Sequence, residues 1–163
     1  MTWNGRKPPQ YTFVTATTCT ELFVNYFMRE GSFQVETMGS LTFDCFREMM
    51  IRHNISSKGS LRPDKDRQFA VVNYNIDGLK MLWNIALGAS DKEVKEKATA
   101  FLVEIHVSLW REKKADLPRI SRTFIQVTMD AVPRENPNRA RVLEVLTLAR
   151  RFVNQYLCCD KVG

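Results

Sequence analysis

Histidine and cysteine are scarce in this chain, two and four in 163 residues, and its seven glycines are scattered. Each shortage removes a class of chemistry. Cys45 and His53 are the one thiol and imidazole close in sequence, but eight helical residues separate them by about 12 Å along the axis. A nucleophile and its base need hydrogen-bond contact, so this pair is excluded. Cys45 falls on an apolar stripe and reads as a buried structural thiol, whereas His106, directly after Ile105, falls off its stripe and is expected to be exposed. Cys158 and Cys159 are adjacent and diverge by about 100° on a helix. With no second pair to complete a tetrahedron, they make no zinc site. Gly31, Gly39, Gly59, Gly78 and Gly88 form no phosphate-binding loop.

Long apolar runs are also missing. None approaches the roughly 18 residues of a membrane span. The opening Met1-Thr-Trp-Asn-Gly-Arg-Lys-Pro-Pro is basic but lacks the apolar segment of a secretory signal. Four cysteines without framework spacing then imply a reducing, cytoplasmic setting. The acid pairs Glu93/Glu96 and Asp64/Asp66 lie among lysines and arginines, as on a solvated surface rather than in a desolvated acid–base pocket. No catalytic, cofactor-binding or metal-ligating residue is expected.

What is present is helix. Hydrophobic residues make up 44% of the chain and charged ones 26%, as in a folded globular protein. Residues 1–17 read as an extended lead-in. Thr18-Cys-Thr-Glu21 fits a capping box, followed by the stripe Leu22, Phe23, Tyr26 and Phe27 and a stop at Gly31. Ser40 opens a second helix with Leu41, Cys45, Phe46, Met49 and Met50 on one face and Asn54 as its end. Residues 55–67 are polar and charged and predict an exposed loop. The stretch from Gln68 to Tyr74 reads as an apolar plug, because a lone strand has no sheet to join.

Asp77 is the expected cap of a helix bearing Leu79, Leu82, Trp83, Ala86 and Leu87, with Trp83 as its buried anchor and Gly88 as its end. Ser90-Asp-Lys-Glu93 repeats the capping box ahead of Val94, Ala98, Phe101, Leu102, Ile105 and Leu109. Two residues, Gly88 and Ala89, leave room only for a helical hairpin. Asp116-Leu-Pro118 starts a fifth helix with Ile120, Phe124, Val127 and Ala131, stopped by Pro133. Asn138 caps the last, which carries Val142, Val145, Leu146, Ala149, Phe152, Val153, Tyr156 and Leu157. The fold class is all-α, and pairs over about 18–53, 77–109 and 117–159 predict an armadillo- or HEAT-like stack filling residues 18–159, with 160–163 as a tail.

Charge is concentrated at one end. Residues 110–163 hold 11 Lys and Arg against 6 Asp and Glu, a balance of +5 within a net +6. Arg119, Arg122, Arg139, Arg141, Arg150 and Arg151 are the candidate protein-binding residues, since guanidinium groups take carboxylates in bidentate fashion. An acidic protein is the expected partner. The alternative is a basic helical module for RNA or anionic phospholipid. RNA is disfavoured because Phe124, Phe152 and Tyr156 belong to the apolar stripes and leave no stacking platform.

The run from Asn75 through Ile-Asp-Gly-Leu-Lys-Met-Leu-Trp-Asn-Ile-Ala to Leu87 resembles the very large ubiquitin carboxyl-terminal hydrolases of the fat-facets type. Asp77, Gly78, Leu79, Leu82 and Trp83 match one family helix, and Glu96, Ala98 and Leu102 match the next. Ile120, Phe124 and Ile125 are similar to a third, Val142 to Phe152 to a fourth, and Phe23, Tyr26 and Phe27 agree in character. The resemblance covers roughly residues 20–157. It implies an armadillo-like region outside the peptidase domain, in a fragment of a deubiquitinating enzyme or in a stand-alone relative. The peptidase's Cys and His boxes are absent, so no catalytic residue is implied. The rest of a larger protease is a further expected partner.

Overall fold

Six α-helices and one two-residue ladder make up the described part of a computed structural model, residues 15–29, 33–109, 115–132 and 138–160. Residues 1–14 of the expected lead-in, Gly31, Pro133 and most of the tail lie outside these residues, whereas Ala16 and Thr17, expected in the lead-in, are helical. Helix α1, Ala16–Phe23, starts ahead of the expected cap. Thr15 is extended and its hydroxyl accepts from the Thr18 N–H at 3.2 Å, so Thr15 rather than Thr18 is the cap. The helix runs on into a π-helical turn, Val24–Met28. Phe23 and Phe27 are buried there, but Tyr26 is exposed because the turn carries it off the packed face.

Helix α2, Ser40–Ser56, follows a 3₁₀ turn at Val35–Thr37 and is entered from Gly39, not capped by Ser40. Its buried face is Phe43, Phe46 and Met50. Leu41 and Cys45, placed on the core stripe by the sequence pattern, are exposed. Two apolar registers interleave on this helix, and α1 and α4, which both pack on it, select the phenylalanine register. Asn54 is inside the helix and does not end it.

The loop is more structured than its polarity predicts. Strand β1, Leu61–Arg62, pairs antiparallel with β2, Ala70–Val71, and Ser60 and Leu61 are buried. The stretch expected as a plug rather than a strand thus contains a strand, because β1 supplies the partner, while its expected burial holds at Phe69, Ala70 and Val71. The ladder survives at this length because the Val71 N–H also donates to the Ser108 carbonyl at 2.7 Å, docking β2 on the end of α4.

Helix α3, Leu79–Gly88, begins at Gly78, whose φ of 90° is left-handed. A Cβ there would lie 2.7 Å from Phe23 Cζ and 3.3 Å from the Met50 side chain, so the turn needs glycine for its conformation and for its space. Leu82, Ile85 and Ala86 form the buried stripe. Trp83 is only half-buried.

Helix α4, Lys92–Val107, is the centre of the fold and meets α2, α3, α5, α6 and β2. Its cap is Asp91, which accepts from the N–H groups of Glu93 and Val94. The expected capping box does not close. Glu93 instead accepts from Ser40 Oγ at 2.6 Å and pairs with Lys97, which also reaches Asp44 at 2.8 Å, so these groups join α4 to α2.

Helix α5, Leu117–Asp130, starts with Pro118 in its first turn, as expected. Ile120, Phe124 and Thr128 are buried, whereas Val127 is exposed. Helix α6, Arg139–Asp160, is entered through Asn138, whose side chain accepts from the Ala140 N–H. Phe124 and Phe152 stack at 4.1 Å and hold α5 on α6. No described helix is long and apolar enough to cross a membrane.

Candidate functional site

Three places hold chemistry-bearing side chains. The first joins α1, α2 and the turn before α3. Asp77 is not a helix cap. Its Oδ2 accepts from His53 Nε2 at 3.0 Å and from Lys58 at 3.3 Å, and its own backbone N–H and carbonyl both bond the Asn54 side chain. Burial alone would raise the Asp77 pKa, but the bonds from His53 and Lys58 outweigh it and hold the carboxyl below its usual range. The other ring nitrogen of His53, Nδ1, lies 3.3 Å from the Thr20 hydroxyl, and Thr20 meets Ser57 at 3.0 Å.

The order carboxylate, imidazole, hydroxyl is that of a nucleophile triad. The surroundings are not. His53 is buried under the Phe23 ring at 5.2 Å, and Thr20 is in the middle of α1, where the backbone N–H groups are used within the helix and none is left for an oxyanion. The cluster ties three segments together. Cys19, next to Thr20, is buried, and burial raises its thiol pKa. Cys45 is exposed, and neither is bridged. The side chains of Cys158 and Cys159 lie outside the description. Among the described residues no group of three His, Cys, Asp or Glu is placed to hold a metal ion.

The second place is the arginine-rich end, where the structure separates the six candidates. Arg141 is turned inward, donating to the Leu87 carbonyl at the end of α3 and lying 3.6 Å from Glu144. Arg151 reaches the Glu96 carbonyl at 3.5 Å. Arg139 and Arg150 are eleven residues apart, about three helical turns, and share the opposite, exposed face. Arg119 and Arg122 are exposed on α5, Arg119 with a long 3.9 Å contact to Asp116. The same outer face of α6 carries Leu143, Leu146, Val153 and Leu157, each 43–55% exposed. With Arg150 they follow a three–four spacing, the seam of a coiled coil.

The third place is a cavity of about 250 Å³ between α3, α4 and α5. Buried His106, Ile120 and Phe124 form its floor, half-buried Tyr74, Leu79 and Trp83 its wall, and exposed Arg119, Thr123 and Val127 its mouth. His106 is thus a correction to the sequence reading. It is 7% exposed because α5 as well as α3 packs on that part of α4. Its Nδ1 donates to the Leu102 carbonyl at 2.7 Å, which leaves Nε2 with a lone pair. Burial pushes its pKa down to about 4, so the ring is neutral. No described residue bonds Nε2. Among the described residues every fully buried side-chain N or O has a partner, so Nε2 is reached by solvent, and the cavity is where solvent reaches it. The Tyr74 hydroxyl donates to the His106 carbonyl at 3.3 Å, and burial raises its pKa well above the usual phenol value.

Sequence reasoning missed this cavity. The signal was the apolar run on both sides of His106, Phe101-Leu-Val103 and Ile105 with Val107, which widens the packed face beyond one stripe and leaves only the side of Glu93, Glu96 and Ala100 to solvent. No family model and no curated protein matches this chain, so the functional reading rests on the residues themselves.

Proposed function

We propose that the chain is a non-catalytic helical scaffold that binds acidic protein partners, of the kind found outside the peptidase domain in fat-facets-type ubiquitin hydrolases. The observation that carries the reading is the outer face of α6. Four large apolar side chains stand exposed there at seam spacing, with Arg139 and Arg150 among them. Such a face accepts an amphipathic helix whose carboxylates meet the two guanidinium groups. The packing of α1 on α2, α3 on α4 and α5 on α6 supports the armadillo-like arrangement. The resemblance of Asp77, Gly78, Leu79, Leu82 and Trp83 to the family helix supports the origin.

The test uses a leucine-rich acidic helical peptide, single-stranded RNA and phosphatidylserine vesicles as probes. Binding of the peptide, lost in Leu146→Glu and weakened in Arg150→Glu, is the expected result. Tighter binding of RNA or vesicles, with log affinity falling steeply against log salt, would overturn it. Thiol-dependent turnover of a ubiquitin C-terminal fluorogenic substrate, abolished by one Cys→Ser variant, would overturn the non-catalytic part.

A further inference from the structure

We propose that the cavity between α3, α4 and α5 is a side-chain pocket that takes a tyrosine or tryptophan from an acidic peptide segment, the ring hydroxyl or indole N–H donating to His106 Nε2. The inference rests on the protein-binding reading but concerns a different surface from the α6 seam.

Size comes first. At about 250 Å³ the cavity is smaller than the roughly 300–1,000 Å³ of small-molecule sites, and matches one large side chain rather than a cofactor. Its lining is aromatic and aliphatic. Trp83 and Phe124 lie 5.1 Å apart between ring centroids, and His106 is 4.8 Å from Phe124 and 6.1 Å from Trp83. An inserted ring finds tilted and edge-on neighbours, the arrangements that aromatic pairs favour.

The floor decides which ring. His106 is an acceptor only: Nδ1–H is committed to the Leu102 carbonyl, and burial keeps the ring unprotonated down to about pH 4. An occupant that cuts Nε2 off from water must supply a donor, or the acceptor is buried unpaired. Tyrosine and tryptophan carry one donor at the far end of an apolar ring, and phenylalanine carries none. The mouth decides what flanks the ring. Arg119 is 76% exposed there and, among the described residues, its one acidic contact is the 3.9 Å approach to Asp116. A carboxylate beside the inserted residue gains a guanidinium partner that a lysine would repel.

The experiment titrates the isotopically labelled full chain with N-acetyl amides of tyrosine, tryptophan and phenylalanine. It then compares N-acetyl-Asp-Trp-amide with N-acetyl-Lys-Trp-amide, following NMR shifts of the Trp83 indole and the Val127 methyls. The expected result is saturable shifts at both reporters, with phenylalanine at least about tenfold weaker than tyrosine. The Asp-Trp probe should bind more tightly than Lys-Trp, and Arg119→Ala should remove that preference while sparing the binding of the single amides. Thr123→Phe, a change at an exposed position that obstructs the mouth without entering the core, should abolish the shifts. Equal affinity for tyrosine and phenylalanine, shifts confined to other surfaces, or no saturable shift at millimolar probe would each overturn the pocket. None of these probes presents a helix to α6, so their failure leaves the scaffold reading to its own peptide test.

Discussion

Helices α4 and α6 both carry long runs of apolar residues, and the fold uses them in opposite ways. In α4, Val94, Ala98, Phe101, Leu102, Val103, Ile105 and Val107 are buried together with His106, because helices and strand β2 pack against it and leave only the side of Glu93, Glu96 and Ala100 open. In α6, Val145, Leu148 and Phe152 face the core, while Leu143, Leu146, Val153 and Leu157 face outward. An apolar stripe therefore specifies a helix, but only neighbours decide whether it becomes core or interface. A helix covered on most sides can bury a histidine. One covered on a single face keeps a second apolar stripe for something else.

The largest expected difference lies in stability. Phe101→Ala in α4 removes a buried ring that meets Phe69 edge-on at 6.0 Å and should cost roughly 3–5 kcal/mol. Trp83→Ala should cost less than Phe101→Ala, since Trp83 is half-buried and borders a cavity. Urea midpoints of the two variants check the ranking, and a larger loss at Trp83 would reinstate it as the anchor.

Next in size is the pH response of α4. His106 has a folded pKa near 4 against 6.5 ordinarily. Its folded value is the lower one, so its contribution is complete above about pH 6.5 and is lost as pH falls toward 4. The loss amounts to roughly 3 kcal/mol for a group this buried. Unfolding free energies measured from pH 7 to 4 should fall accordingly and should flatten in His106→Phe. An unchanged slope in that variant would assign the acid sensitivity elsewhere.

A smaller effect separates arginines within α6. Arg141→Ala loses a charge-assisted bond to the Leu87 carbonyl and should cost about 1 kcal/mol, reduced by its partial exposure. Arg150→Ala should leave the denaturation midpoint unchanged. Smallest of all, Leu146→Ala and Leu157→Ala should stay within about 0.5 kcal/mol of the parent. A loss near that of Phe101→Ala would mean that the outer stripe of α6 is covered after all.

Part of this was legible from local chemistry. The all-α class, the start of α5 at Pro118, the Asn138 cap and the buried series Val94, Ala98, Phe101, Leu102, Ile105 and Leu109 all follow from spacing and backbone preference. The errors share one cause. Local spacing assigns Glu93 and Asp77 to the nearest backbone N–H groups. In the folded chain, Ser40, Lys97, His53 and Lys58 compete for the same carboxylates from segments distant in sequence. The periodicity of a single helix puts Cys45 inside and His106 outside, and packing between helices reverses both.

The sequence by itself determined where the helices run, since periodicity, caps and breakers act within a few residues. It also determined that positive charge gathers in the last third and that no thiol has a base within local reach. Tertiary structure alone decided which apolar stripe is core, which arginines face water, and that Tyr74, Trp83, His106 and Phe124 surround one cavity. These last four come from a loop and three helices. Their meeting depends on how those elements pack around α4, and packing is a property of pairs of surfaces that no single stretch of sequence contains.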